Sequence, residues 1–139
     1  NQAEKIYIKY KRSISSALEQ LSELQQIIGK NYIIINAQDK IKDTIIGTIA
    51  SIMSFSPLYA KGTIIITMAY DENGKIKVSA RVAGRNGRNV REILHKAVIP
   101  ISEEIGGHPN AAGCLISKEK EKEFIENLRQ TLEVDVIKV

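Results

Sequence analysis

The chain has 139 residues, 43% of them hydrophobic and 26% charged, with a net charge of +4. That length supports one domain with a real core and leaves no room for two comfortable ones, and the composition is that of an ordinary soluble globular protein. The single cysteine, Cys114, excludes an internal disulfide and fits a reducing, cytoplasmic setting; no apolar run reaches membrane-span length and no secretory leader pattern opens the chain.

Residues 1–30 read as one long helix. Tyr7, Tyr10, Ile14, Ala17, Leu21, Leu24 and Ile28 recur in steps of three and four, an a/d seam with no Gly or Pro before Gly29. Such a seam must be buried, either on the chain's own sheet or against a partner helix or a preceding domain. Tyr10, Ile14, Leu21 and Leu24 are the candidate partner-facing residues. Tyr32–Asn36 has the apolar run of a buried strand, and Asp39–Ser54 reads as a helix with an isoleucine face closed by Ser56-Pro57. Thr63–Tyr70 is β-branched and reads as a strand. Asp71-Glu72-Asn73-Gly74 then gives a hairpin turn, and Lys75–Arg81 returns as the partner strand. Asn89 caps a helix from Val90 towards Ile99, and Pro100 interrupts it. Cys114–Ile116 reads as a short strand, Ser117 opens a helix through Leu132, and Val134–Val139 reads as a last strand. The expected fold is therefore α/β, with a mixed β-sheet of about five strands flanked by helices and preceded by the long helix.

Charge is concentrated between Lys75 and Lys96. Lys75, Lys77, Arg81, Arg85, Arg88, Arg91 and Lys96 face only one acid there, Glu92. This is the footprint of a phosphate-binding surface, or else of a solvated face balanced by acids elsewhere in the fold. Strand alternation places Ser79 and Arg81 on one face, where a hydroxyl and a guanidinium can grip one phosphate. The alternative for Arg81 is an internal ion pair. Downstream, Gly106-Gly107-His108-Pro109-Asn110-Ala111-Ala112-Gly113 sets a histidine among residues with little or no side chain. Glycine permits unusual backbone angles and close approach of a ligand, so this run is either a binding loop or a plain tight turn. The segment Gly84-Arg85-Asn86-Gly87 is similar to the GxxG loop that clamps single strands in KH domains. That loop joins two helices, however, and here it follows a strand.

The two motifs together, the Ser-x-Arg strand end and the GGHxxAAG run, resemble those of the DHHA1 domain, the carboxy-terminal half of the DHH phosphoesterase superfamily. RecJ exonucleases, oligoribonucleases and pyrophosphatases belong to that superfamily. The chain has Ile105 where many members carry a further glycine, a form similar to RecJ-like members. The resemblance implies a DHHA1-like domain over residues 31–139, with 1–30 as a linker or partner-binding helix. It implies that Ser79, Arg81, Arg85, Arg88, Gly106, Gly107, His108 and Asn110 contact phosphate or sugar. In the superfamily, hydrolysis uses metal ions held by Asp and His of the amino-terminal half. No Asp-His-His run occurs here, and Asp39, Asp43, Asp71, Asp135, His95 and His108 are scattered. The chain alone is thus expected to hold no metal and no catalytic residue, with manganese entering only if a DHH domain precedes it. Two functions follow from the resemblance. One is a non-catalytic, nucleoid-associated module that binds single-stranded DNA and works with GINS and the MCM helicase, as archaeal RecJ relatives do. The other is the substrate-binding half of a manganese-dependent exonuclease or nucleotide phosphodiesterase. No membrane partner is expected, and an open sheet edge leaves a homodimer possible.

Overall fold

The computed structural model describes residues 2–85, 88–101 and 105–137, without the side chains of Tyr7, Arg85 and 135–137. The elements run α1 (Gln2–Gln20), β1 (Gln25–Gly29), β2 (Tyr32–Asn36), α2 (Asp43–Ser54), β3 (Ile64–Tyr70), β4 (Lys75–Val82), α3 (Val90–Val98), β5 (Ile105–His108), β6 (Ala111–Ser117) and α4 (Glu121–Ile137). Six strands form one sheet in the order β1-β2-β3-β4-β6-β5. The β2–β3 pair is parallel, bridged by α2, and the other pairs are antiparallel.

The central strands of the sheet are buried on both sides. On one side Ile33, Ile35, Ile65 and Ala69 meet Ile45, Ile46, Ile49 and Met53 of α2, with Ala17 and Leu24 joining them. On the other, Ile34, Ile66, Met68, Ile76, Val78 and Val82 pack with Val90 and Leu94 of α3 and Phe124, Leu128 and Leu132 of α4. Because β2 is covered on both faces, its isoleucines form a continuous apolar run rather than an alternating one.

Several local readings hold at the level of atoms. The Asp71 carboxylate accepts from the amides of Asn73 (2.8 Å) and Lys75 (2.9 Å), and Gly74 takes φ +75° to close the β3–β4 hairpin. The Asn89 side chain accepts from the Glu92 amide at 3.0 Å, capping α3.

Three readings are corrected. The first helix stops at Gln20, and residues 25–29 form strand β1. Its Gln-Gln-Ile-Ile-Gly sequence pairs with β2 through a turn in which Asn31 adopts φ +66°. Gly29 is required there, since a Cβ would lie 2.1 Å from the Tyr32 ring. The second correction is at the carboxyl end. Residues 134–137 continue α4 instead of forming a strand, and 138–139 lie outside the described residues. No Gly or Pro stands between Lys118 and Val139 to stop the helix. The third concerns the glycine run, in which only Pro109-Asn110 form the tight turn: Gly106, Gly107 and His108 lie in edge strand β5, and Ala111, Ala112 and Gly113 in β6.

The heptad seam meets the chain's own core from Ile14 to Leu24, whereas Ile28 is 74% exposed. Leu24 is 6% exposed, and Ile14 and Leu21 pack part-buried beside it. Tyr10 is largely exposed, and its hydroxyl lies 3.1 Å from Thr48 Oγ1. The β1–β2 hairpin spans the division expected at residue 30.

Candidate phosphate-binding site

Strand β4 alternates sharply. Ile76, Val78, Ala80 and Val82 point into the core beside α3 and α4. Lys75, Lys77, Ser79 and Arg81 therefore take the opposite face, towards α2. Helix α2 answers with residues one turn apart, Gly47 and Ser51. A Cβ on Gly47 would stand 3.2 Å from Ser79 Oγ and 3.6 Å from Arg81 Nη2, so this glycine lets the helix close onto the strand.

Arg81 is the centre of the arrangement. Its Nε donates to Ser51 Oγ at 3.0 Å, and Nη1 donates to the carbonyls of Ala80 (2.9 Å) and Ala112 (3.4 Å). Nη2 approaches the Gly47 carbonyl at 3.5 Å. Every one of these acceptors is neutral, and the internal ion pair weighed for Arg81 is not formed among the described residues. Burial pushes the guanidinium pKa down, because removing a cation from water disfavours its charged form. The group stays protonated nonetheless, as arginine does in proteins. A half-buried cation whose contacts are all neutral is left with unbalanced positive charge, which an anion would neutralise.

Arg81 opens onto a cavity of about 150 Å³ lined by Ser51, Ser54, Phe55, Val82, Gly84, His108, Asn110 and Ala111. That is the space of about five waters, each with a share of roughly 30 Å³ in the liquid. His108 and Asn110 arrive from the β5–β6 hairpin, where His108 sits opposite Ala111 and Ala111 opposite Arg81. Gly107 sets this geometry. Its φ is +109°, and a Cβ there would come 2.5 Å from both the Ala111 carbonyl oxygen and the Ala112 Cα. The turn is anchored in addition by the Val90 amide, which donates to the Pro109 carbonyl at 2.9 Å and ties the hairpin to the start of α3.

Next to the Arg81 row, Ser79, Gly113 and Gly106 lie side by side across three strands. A Cβ on Gly106 would meet nothing within 4 Å. Helix α2 packs on β3 and β4 and leaves this part of the sheet uncovered. The result is a shallow groove of about 850 Å³, floored by Gly106 and Gly113 and bordered by Lys75, Lys77, Asp43 and Asp71.

The structure thus brings Arg81, His108 and Asn110 to one cavity and Gly106 to the adjoining groove. Ser79, only 3% exposed, is a wall residue beneath Gly47 and not a cavity-lining group. Arg88 lies elsewhere. Its Nη1 donates to the Gly62 carbonyl at 2.8 Å and fastens the loop before β3. The Arg85 side chain, Asn86 and Gly87 lie outside the described residues. The segment 83–89 joins β4 to α3, so the two-helix setting of a KH loop is not present. Sequence reasoning missed Gly47, Ser51 and Phe55. Their only signal is a four-residue spacing along α2, and this acquires meaning only once Arg81 is seen opposite it. Among the described residues, no group of three or more His, Cys, Asp or Glu side chains is placed to hold a metal ion. Likewise none of the described helices is long and apolar enough to cross a membrane.

Comparison with known proteins accords with the fold. The fold matches RecJ from Thermus thermophilus, in its complex with Mg2+, with a TM-score of 0.69 at 17% identity over 95% of this chain and 19% of that one. It matches the C-Ala domain of alanyl-tRNA synthetase from Aquifex aeolicus with a TM-score of 0.62 at 12% identity, over 78% of this chain and 98% of that one. A pGpG-specific phosphodiesterase from Vibrio cholerae matches with a TM-score of 0.59 at 15% identity, over 93% of this chain and 42% of that one. At these identities the likeness concerns the fold. The first solved structure it matches, described as a DHH domain, is about three times longer, with 32% of its length covered. No curated protein sequence matches the chain significantly. The DHHA1 domain profile matches residues 29–134, most of the sequence and both of its motifs. The chain belongs to the DHHA1 domain family.

Proposed function

We propose that this chain is a non-catalytic module that binds the phosphates of single-stranded nucleic acid. The observation that carries the proposal is Arg81, a half-buried guanidinium with neutral contacts, opening onto a cavity shared with His108 and Asn110. A phosphate oxygen supplies the negative charge that the protein's own contacts to Arg81 lack. The imidazole and the Asn110 amide then fix the phosphate's orientation, and the glycine floor at Gly106 and Gly113 admits the neighbouring nucleotide close to the main chain. Working as a binding element, the module acts within a larger replication assembly of the GINS and MCM-helicase kind.

A second reading is favoured by the shares of the solved structures that the chain spans, 18% of RecJ in its Mn2+ complex and 42% of the pGpG-specific phosphodiesterase. In it, the same cavity holds the substrate of a manganese-dependent exonuclease or nucleotide phosphodiesterase whose metal ions are bound elsewhere. The described residues do not fit such a metal centre, since two-metal hydrolysis needs a dense set of ligands. In either reading, the task of Arg81, His108 and Asn110 is to hold a phosphate.

The test is the affinity of wild type and Arg81→Ala for a labelled single-stranded oligonucleotide, with circular dichroism to establish folding. Loss of its charged hydrogen bonds weakens binding by roughly 1–3 kcal/mol. A folded Arg81→Ala protein with wild-type affinity refutes the assignment. Co-purification of GINS-type and MCM-type proteins with the tagged full chain tests the assembly. Their absence from the purified material, with nucleic-acid binding intact, favours the second reading.

A further inference from the structure

Phe55 is the aromatic ring at the mouth of the cavity. The chain holds two phenylalanines and no tryptophan. Phe124 is fully buried in the core, whereas Phe55 is 75% exposed. Exposed apolar side chains are ordinary, and Ile52 (39%) and Leu58 (86%), three residues to either side, are exposed too, so its exposure alone says nothing. Its position does. Gly47 and Ser51 lie on the face of α2 that meets Arg81, and Phe55, the residue that caps the helix, follows at the same four-residue step. Gly47 and Ser51 both hydrogen-bond the guanidinium, and Phe55 lines the same cavity one turn further on. The rise from Ser51 to Phe55 is about 6 Å along the helix axis, a reach comparable to that from a nucleotide's phosphate to its base. The backbone beneath the ring is fixed. The Phe55 amide donates to the Ile52 carbonyl at 3.2 Å, and the Ser56 amide to that of Met53 at 3.0 Å. Beyond it, the Leu58 amide donates to Ser56 Oγ at 3.2 Å, and Pro57 sets the turn. The ring is thus exposed on a pre-organised support beside a phosphate-sized cavity.

We propose that Phe55 is a stacking platform for the base of the nucleotide whose phosphate sits at Arg81. This rests on the phosphate-binding reading above and extends it to the base. A π-face accepts any base, so the platform confers affinity for nucleotides over bare phosphates without reading sequence.

The chain's lack of tryptophan makes a direct probe available, because Phe55→Trp introduces a single indole fluorophore. The ligands are an oligothymidylate and an abasic deoxyribose-phosphate oligomer of equal length and charge. Stacking predicts that oligothymidylate quenches the indole while the abasic oligomer does not. It also predicts that Phe55→Ala weakens oligothymidylate binding roughly 5- to 150-fold, the fold-change equivalent to about 1–3 kcal/mol per stacked base, and weakens abasic binding less. Equal weakening for both oligomers, or none for either, overturns the platform while abasic binding upholds the phosphate site. Failure of wild type to bind either oligomer overturns both.

Discussion

Replacing Gly107 by alanine separates the role of this glycine from that of its neighbour. At φ +109° an alanine is strained by roughly 1–3 kcal/mol. The new methyl carbon would also stand 2.5 Å from the Ala111 carbonyl oxygen and 2.5 Å from the Ala112 Cα, both backbone atoms that no rotamer change can move away. Strand β5 is at the sheet edge and pairs only with β6, through four residue pairs. The least costly relief is for β5 to peel from β6, carrying His108 and Asn110 out of the cavity. Urea denaturation followed by circular dichroism should show a loss of about 1–3 kcal/mol, close to the local strain. Oligonucleotide affinity should fall further than the global stability does. Gly106→Ala is the matched control. Nothing lies within 4 Å of its new carbon and its φ is unstrained, so its stability stays within about 0.5 kcal/mol of wild type. Wild-type stability and affinity in Gly107→Ala refute the reasoning, as do equal stability losses in the two variants.

Two further outcomes follow from the packing. Leu24→Ala removes a 6%-exposed side chain from the core between α1, α2 and the sheet, and should cost about 2–5 kcal/mol in urea denaturation; an altered assembly state at full stability would instead assign Leu24 to an interface. Tyr70, its pKa raised by burial and by the 2.7 Å bond to Glu121, keeps its proton to higher pH folded than unfolded. Its contribution is intact below the unfolded value near 10 and is lost as pH rises through the higher folded value. Tyr70→Phe should therefore lessen the alkaline loss of stability in pH-dependent denaturation, and an unchanged pH profile contradicts this.

Features fixed by a few consecutive residues were legible in the sequence. The Asp71–Gly74 turn, the Asn89 cap and the shared face of Ser79 and Arg81 each depend on local backbone chemistry, and each has its expected geometry. The motif pair gave the family, and with it the cavity residues Arg81, His108 and Asn110. What escaped depends on register between distant segments. Residues 25–29 continue a helical repeat, and only pairing with β2 makes them a strand. His108 reaches the cavity that Arg81 lines because β6 lies between β5 and β4, an order that no local pattern specifies. Ser51 and Phe55 look like any polar and apolar positions on a helix until Gly47 lets α2 close over β4. Arg88, expected from the same basic run, has its Nη1 on the Gly62 carbonyl, away from the lining of the Arg81 cavity.

The most direct test of the phosphate site is the salt dependence of single-stranded DNA binding, measured by fluorescence anisotropy for wild type and Arg81→Ala. Each phosphate neutralised on a single strand adds about −0.7 to the slope of log K against log salt. A site that grips two or more phosphates gives a wild-type slope of about −1.4 or steeper, flattened by about 0.7 when Arg81 is removed. No binding at low salt, or the same slope in both proteins, contradicts the account.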